Sequence, residues 1–247
     1  MARRRGQLLD GVLLLDKPAG LSSNQALQKA RRLLNARKAG HTGTLDPFAT
    51  GLLVCCFGRA TKIAGRMLDA DKRYEATLRF GSETDTGDFT GEVINTAPNR
   101  FAGIQRAELD RVLPSFRGAS QQVPPMYSAL KHKGKPLYEY ARRGVTIERP
   151  PRDIEIYRLE VLAFDGLSAQ IDVHSSKGTY IRTLAQDIGQ AIGCGAHLTA
   201  LRRTEVGPFL LANAISFDEL SLLEDPKTSL LSLDNLPAGL DPARSNS

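Results

Sequence analysis

The sequence predicts an α+β fold with a mixed, mostly antiparallel central sheet flanked by helices and loops. Short apolar runs and one alternating segment indicate strands. Helix-periodic segments lie among them without the regular strand–helix alternation of a parallel sheet. With 41% hydrophobic residues in 247, the composition is typical of a globular protein with a core. We expect one large domain over residues 1–210, followed by a short helix and a tail over 211–247.

The first third of the chain contains three predicted strands and two predicted helices. Ser22 and Ser23 are good N-cap residues, and the apolar residues at 26, 27, 30, 33 and 34 follow the period of a helix. Side chains alternate over 74–80 as in a strand. The predicted strands are 11–15, 52–57 and 74–80, and a second helix covers 60–68.

The rest of the chain continues this mixture of helices and strands. Pro136 can open a helix that Gly144 ends, and Ser216 can cap a short helix. The elements expected here are a helix near 107–113, a helix over 136–143, two or three strands between 145 and 174, a helix over 179–192, a strand over 197–205 and a helix over 216–223.

A polar loop over residues 81–91 carries three acidic side chains, Glu83, Asp85 and Asp88. Carboxylates this close together can bind a cation, but their spacing is not that of an EF-hand. A solvated loop is the favoured interpretation, and we expect no metal.

Cysteine use and hydropathy indicate a cytoplasmic protein. The three cysteines are odd in number, two of them are adjacent, and there is no CxxC pattern, which predicts buried thiols rather than disulfides or a zinc site. No apolar run is long enough to span a membrane. The run over 12–15 is too short for the core of a signal peptide, although arginines at 3–5 precede it.

Positive charge is concentrated near the N-terminus. Residues 1–80 carry 15 Lys and Arg against 6 Asp and Glu, whereas residues 210–247 carry 2 against 6. A basic region of this kind favours a polyanionic partner, and a solvated basic face is the alternative. From Glu224 the chain is acidic and poorly periodic, which predicts a loosely attached or disordered tail.

The segment over residues 40–51 places one carboxylate, Asp46, in a loop of glycines and threonines. Gly40, Gly43 and Gly51 permit positive φ, and Pro47 fixes φ directly after the acid. A lone Asp in a loop is normally a turn or cap residue. Further motifs, however, give this carboxylate a chemical context.

Several ordered motifs together resemble the TruB-type pseudouridine synthases over roughly residues 10–210. They are Gly-His-Thr-Gly-Thr-Leu-Asp-Pro at 40–47, Asp-Lys-Pro at 16–18, Asp-Lys-Arg-Tyr at 71–74, Ser-Lys-Gly-Thr-Tyr-Ile-Arg-Thr-Leu at 176–184, and the stretches 126–130 and 193–203. The resemblance implies a catalytic domain with that family's sheet. It also implies an isomerase that converts the uridine at position 55 of the tRNA T arm to pseudouridine without metal or cofactor. We expect it to act as a monomer.

The resemblance also implies roles for individual residues. Asp46 matches the nucleophile, Arg182 matches the arginine that pairs with it, and Tyr74 matches a tyrosine that packs on the target base and is a candidate base for proton removal. Tyr180 and Leu201 match positions that line the base pocket. His41 matches the histidine that fills the gap left by the flipped base. The candidate phosphate contacts are Lys17, Lys62, Arg202 and Arg203. Core packing, loop hydrogen bonding and solvated surface charge are the corresponding non-functional interpretations.

The pattern departs from the family at the C-terminus. Bacterial members usually continue into an RNA-binding module of the PUA type, for which the 38 residues after Phe209 are too few. Two alternatives to a tRNA isomerase remain open. One is an RNA chaperone that helps tRNA fold, with catalysis secondary, and the other is the same isomerisation on rRNA or mRNA loops that mimic the T arm.

Overall fold

A computed structural model describes residues 6–97 and 103–240. Its strands are β1 (Gly11–Lys17), β2 (Ala39–Thr42), β3 (Thr50–Phe57), β4 (Lys72–Phe80), β5 (Ser82–Thr84), β6 (Val93–Thr96), β7 (Gly118–Gln122), β8 (Lys131–His132), β9 (Lys135–Pro136), β10 (Arg152–Phe164), β11 (Ser168–Ser175), β12 (Ala196–Val206) and β13 (Phe209–Leu210). The prediction of a mixed α+β fold with mostly antiparallel pairing is confirmed.

The helices are short and lie between the strands. They are α1 (Ser23–Leu33), α2 (Ala64–Leu68), α3 (Arg106–Val112), α4 (Leu137–Ala141), α5 (Ile181–Ile192) and α6 (Phe217–Leu222), with 3-10 turns at Gly58–Lys62, Leu113–Phe116, Leu211–Asn213, Pro226–Ser229 and Leu233–Asn235. The predicted helix over 60–68 is thus a 3-10 turn followed by a short α-helix. No helix in the described ranges has both the length and the apolar character needed to cross a membrane.

Contacts divide the described chain into two compact units. The first contains the chain up to Arg73 and again from Arg202, and the second contains Tyr74–Leu201. The chain passes from the first unit to the second within β4 and returns within β12. This division does not follow the boundary at residue 210 that the sequence predicted.

In the first unit, β3 pairs with β1 along one edge and with β12 and β2 along the other. β1 pairs with β3 antiparallel, from Gly11 opposite Phe57 to Lys17 opposite Gly51. The other edge of β3 pairs parallel with β12 at its start and antiparallel with β2 further along. The loop that carries Asp46 connects the end of β2 at Thr42 to the start of β3 at Thr50.

Alternate side chains of β1 and β3 point to opposite faces of this sheet. Both faces are buried. On one face, Leu13, Leu15 and Leu53 pack with α1 and α6. The opposite face packs against α2 and the C-terminal segment. All three cysteines are buried, as predicted, and burial raises the pKa of Cys56 to about 12.

The C-terminal segment is attached to this unit, so the prediction of a loose tail from Glu224 is wrong up to Leu240. Leu231 exchanges two backbone hydrogen bonds with Val12, at 3.0 and 2.8 Å, along the outer edge of β1. Leu231, Leu236 and Leu240 pack on the core. The leucines of the segment supply apolar contacts that its acidic composition obscured, while residues 241–247 lie outside the described chain.

The second unit contains a sheet in the order β12, β4, β11, β10, β7. β10 pairs antiparallel with β11 and with β7, so β7 is an edge strand. Helix α5 buries one face through Ile181, Leu184 and Ile188 and ends at Gly193, whose φ of 82° suits glycine. β5 and β6 form a separate hairpin, as do β8 and β9.

Candidate active site

The loop that carries Asp46 is fixed to the first turn of α1. The Ser23 hydroxyl accepts a hydrogen bond from the Leu45 amide at 2.7 Å and donates one to the Leu45 carbonyl at 3.1 Å. Ser22 caps the same helix in a capping box with Gln25. Of the two predicted caps, Ser22 therefore begins the helix, whereas Ser23 anchors the loop.

Around Asp46 the backbone forms a turn whose carbonyls are also bonded. The Ala49 amide donates to the Asp46 carbonyl at 3.1 Å, and the Gly20 amide donates to the Pro47 carbonyl at 2.8 Å. Asp46 is half-buried. The loop thus presents its carboxylate from a backbone held on both sides.

Lys17, at the end of β1, lies beneath this turn. Its side chain is fully buried and donates to the carbonyls of Pro18 at 2.9 Å, Leu21 at 2.8 Å and Pro47 at 3.4 Å. Burial lowers the pKa of Lys17 to about 8, the charge of Asp46 opposes that change, and the charge of Arg203 adds to it. Lys17, Asp46 and Arg203 are therefore electrostatic neighbours.

Arg203 contacts the start of the same loop from β12. Its Nε donates to the Leu52 carbonyl at 2.8 Å and its Nη2 donates to the Gly43 carbonyl at 3.2 Å. The side chain is 1% exposed. A Cβ on Gly51 would lie 2.3 Å from the Arg203 carbonyl oxygen, so glycine is required where β3 meets β12.

Burial and the neighbouring Arg203 charge lower the pKa of His41, which precedes the loop on β2. The imidazole is therefore neutral at physiological pH, since both causes disfavour the added proton. A neutral ring is suited to pack against an apolar or aromatic surface.

Two of the predicted phosphate contacts, Lys17 and Arg203, are buried in the structure. The Lys17 ammonium and the Arg203 guanidinium are bonded to backbone carbonyls, whereas a phosphate contact requires an accessible cation. Arg202 is half-exposed and pairs with both carboxylate oxygens of Asp16, at 3.1 and 2.7 Å. Lys62 is exposed, in the 3-10 turn before α2.

In the second unit, Arg182 is buried at the start of α5 rather than lying on the surface. Its Nη1 donates to the Thr86 carbonyl and its Nη2 to the Tyr127 carbonyl, each at 2.6 Å. Asp88 lies 3.9 Å from its Nε. These contacts fix the plane of the guanidinium, because the fork must satisfy acceptors on two separate loops.

The acidic loop over 81–91 is therefore partly buried, not simply solvated. Asp88 accepts hydrogen bonds from Thr90 and Thr86, while Asp85 accepts from the Tyr127 hydroxyl at 2.9 Å. Glu83 accepts from Asn95 and Gln190. The three acids thus serve different partners, and the described residues contain no group of three or more potential metal-ligating His, Cys, Asp or Glu side chains.

The remaining predicted residues lie in or beside the second unit's sheet. Tyr74 on β4 is 9% exposed, Leu201 on the adjacent strand β12 is 7% exposed, and Tyr180 is half-buried at the start of α5. Gln122, at the end of β7, exchanges two hydrogen bonds with the backbone of Tyr180.

The structure brings the predicted residues together within each unit. Lys17, His41, Asp46 and Arg203 gather in the first, and Tyr180 and Arg182 share a helix start in the second. Sequence reasoning missed Gln122 and Thr86, since a buried amide and a backbone acceptor leave no pattern in the sequence.

The chain matches two models of one protein family. The model described as TruB family pseudouridylate synthase (N terminal domain) matches residues 31–181. The model described as tRNA pseudouridylate synthase B C-terminal domain matches residues 182–236, which includes most of the segment expected to be loose.

Curated relatives carry the name tRNA pseudouridine synthase B. The protein of Bordetella avium is 67% identical over 243 residues, covering 98% of this chain and 100% of the relative. The protein of Chromobacterium violaceum is 59% identical over 223 residues, covering 90% of this chain and 72% of the relative.

The fold is also similar to that of solved structures. A chain of a Cbf5-Nop10-Gar1 complex superposes with a TM-score of 0.72 at 28% identity, covering 92% of this chain and 61% of that one. A chain of an H/ACA RNP bound to a substrate RNA, with a TM-score of 0.68 at 24% identity, covers 95% of this chain and 66% of that one and supports the fold. By family match and by close relatives, the chain belongs to the TruB family of pseudouridylate synthases.

Proposed function

We propose that this protein isomerises uridine to pseudouridine in the T loop of tRNA, at position 55, as a monomer and without metal or organic cofactor. Membership of the TruB family and relatives named tRNA pseudouridine synthase B support the reaction class. The observation that carries the proposal is Asp46, held in a rigid loop beside two buried cations, Lys17 and Arg203.

The reaction needs one carboxylate rather than the usual pair of a glycosidase. The C1′–N1 bond breaks with its electrons leaving on uracil, which is a resonance-stabilised anion and needs little help from an acid. Asp46 attacks C1′, or stabilises the positive charge there, while the base rotates. C5 then bonds to C1′, which displaces the Asp46 carboxylate where it had attacked, the proton on C5 is removed, and N1 gains a proton. The atoms of substrate and product are the same, so no water is consumed.

An ionised carboxylate is required at the start of this sequence. Positive charge beside a carboxylate stabilises its ionised form by Coulomb attraction. Lys17 and Arg203 supply such charge within the first unit. We propose that Arg182 is a further cation for Asp46, in the role that its position in the family motif implies.

The other roles follow the motif positions. We propose that Tyr74 packs on the target base and is the candidate base for the C5 proton, and that Tyr180 and Leu201 line the base pocket. A uridine in the T loop must leave its stack to react, and His41, neutral and half-buried, is the proposed occupant of the gap. Lys62 and Arg202 remain the proposed phosphate contacts.

The test is to incubate the protein with an unmodified T-arm hairpin and to map pseudouridine at single-nucleotide resolution. Wild-type protein should modify the T-loop position, and Asp46→Asn should form no product while still binding the hairpin. Asp218→Asn, an exposed acid in α6, is the control for loss of one negative charge.

Other outcomes separate the alternatives. A hairpin that binds wild-type protein without reacting would favour the RNA chaperone. Product on rRNA or mRNA loops, but not on the T arm, would change the substrate and keep the chemistry. Equal activity of Asp46→Asn and wild-type protein would remove Asp46 from the mechanism.

A further inference from the structure

Gln122 and Tyr180 form a reciprocal pair of hydrogen bonds between a side chain and a peptide backbone. The Tyr180 amide donates to Gln122 Oε1 at 2.8 Å, and Gln122 Nε2 donates to the Tyr180 carbonyl at 3.1 Å. The two residues are 58 positions apart in the sequence. A primary amide has one acceptor and one donor side, so it can satisfy both backbone groups of a single residue.

The Gln122 side chain is held firmly at this position. Gln122 is 4% exposed and ends β7, where its Cα lies opposite that of Arg152 in β10. Its amide is therefore carried by a strand of the sheet rather than by a flexible loop. A buried amide of this kind is costly unless its polar atoms are bonded, and the backbone of Tyr180 supplies both partners.

The pair fixes the start of α5. Tyr180 is the N-cap residue of this helix, with φ of −100° and ψ of 110°, and within the described helix its side chain forms no capping hydrogen bond. Gln122 bonds the peptide groups on both sides of the Tyr180 Cα, so it constrains the φ and ψ of that residue. The Tyr180 carbonyl also accepts the first helical bond, from Leu184 at 3.0 Å.

Two residues of the proposed site lie at this helix start. Tyr180 is the N-cap residue itself, and Arg182 lies two positions further, in the first turn of α5. The Arg182 guanidinium reaches carbonyls on two other loops with short bonds, an arrangement that a small rotation of the helix start would disturb.

We propose that Gln122 is a positioning residue for uridine isomerisation, acting through the backbone of Tyr180 on the placement of the Tyr180 ring and of Arg182. This inference rests on the proposed function. It adds to the reaction a residue that touches neither the substrate nor Asp46, and whose contribution depends on a matched donor and acceptor.

The test compares Gln122→Ala and Gln122→Glu with Gln121→Ala. The control removes the neighbouring glutamine of the same strand, whose side chain is exposed and bonds Asp153 at 3.0 Å. Rates are measured on a T-arm hairpin under single turnover with saturating enzyme, together with the hairpin Kd and the Tm. Displacement of positioned groups can slow chemistry greatly, and we expect Gln122→Ala to lower the single-turnover rate by about tenfold or more, with Kd close to wild type. Gln121→Ala should match wild type.

Gln122→Glu gives a readout that loss of stability alone would not produce. An ionised carboxylate can accept from the Tyr180 amide but cannot donate to the Tyr180 carbonyl, whereas the protonated acid can do both. Burial beside a carbonyl favours protonation. The ratio of the Gln122→Glu rate to the wild-type rate should therefore rise as the pH falls from 8 to 6, with both proteins folded.

The following outcomes would contradict the proposed role of Gln122. Wild-type rates for Gln122→Ala and Gln122→Glu would overturn the inference and leave the proposed function intact. An unchanged rate ratio across pH would also overturn it, as would unfolding of both variants at the assay temperature, which would make Gln122 a stability residue. An inactive wild-type protein would instead refute the proposed function, and the inference with it.

Discussion

Arg203 Nη2 donates to the carbonyl oxygen of Gly43 at 3.2 Å, although the two residues are 160 positions apart in the chain. Gly43 begins the loop that carries Asp46, and Arg203 lies on β12. Lys17 bonds the carbonyl of Pro47 on the other side of Asp46. Two buried cations therefore hold the backbone before and after the proposed nucleophile.

Arg203→Met should destabilise the protein by about 2–4 kcal/mol, because it leaves the Gly43 and Leu52 carbonyls without the donors they have in a buried site. Arg202→Met is the matched control. It removes a half-exposed pair with Asp16 and should cost about 1 kcal/mol or less. Denaturant unfolding monitored by circular dichroism measures both losses, and equal losses would show that the burial of Arg203 carries no special weight.

Arg182→Lys should reduce turnover far more than RNA binding. Lysine keeps the charge but cannot direct two separate N–H groups at the Thr86 and Tyr127 carbonyls. Single-turnover rates and hairpin Kd separate the two effects. Arg106→Lys, an exposed arginine paired with Asp110, controls for the substitution itself. A change confined to Kd would instead identify Arg182 as an RNA contact.

The free energy of unfolding should rise as the pH increases from about 8 towards 10.5, in part through Lys17. Burial lowers the pKa of Lys17 from 10.5 to about 8 in the folded protein, so in this window the unfolded chain holds the proton more tightly. The contribution is at most about 1.4 kcal/mol per pH unit.

Urea titrations across this range should show a smaller slope for Lys17→Met than for wild type. Lys38→Met, which removes an exposed lysine of the same unit, is the control and should retain the wild-type slope. Identical slopes in all three proteins would mean that the Lys17 ammonium is as well solvated as an exposed one.

Truncation after Leu223 should lower the Tm, because it removes the segment that pairs with β1 through Leu231. Gly11→Ala should weaken the same contact, since a Cβ there would lie 2.9 Å from the Leu231 carbonyl oxygen. The two changes should therefore be less than additive in a double-mutant cycle. Strict additivity, or an unchanged Tm on truncation, would indicate that the segment adds nothing to stability.

Many of the elements could be predicted because their signals are local. Ser22 and Ser216 form capping boxes at the starts of α1 and α6, and Gly193 ends α5, as their residue types favour. The alternation over β4 likewise matches its buried face of Tyr74, Ala76, Leu78 and Phe80. The C-terminal segment was misjudged because its attachment depends on leucines scattered among acidic residues, without a regular period.

By itself, the sequence determined the mixed fold, the positions of its longer helices and strands and the loop of glycines around Asp46, since backbone conformation and side-chain periodicity act over a few residues. Only the tertiary structure decided which cations are buried. Lysine and arginine usually lie at the surface, yet backbone carbonyls replace the water around Lys17 and Arg203. Some of these carbonyls belong to residues far away in the chain, such as Pro47 for Lys17 and Gly43 for Arg203. The pairing of Gln122 with Tyr180 was decided in the same way, because hydrogen bonds between residues far apart in the chain form only once the strands and helices have packed.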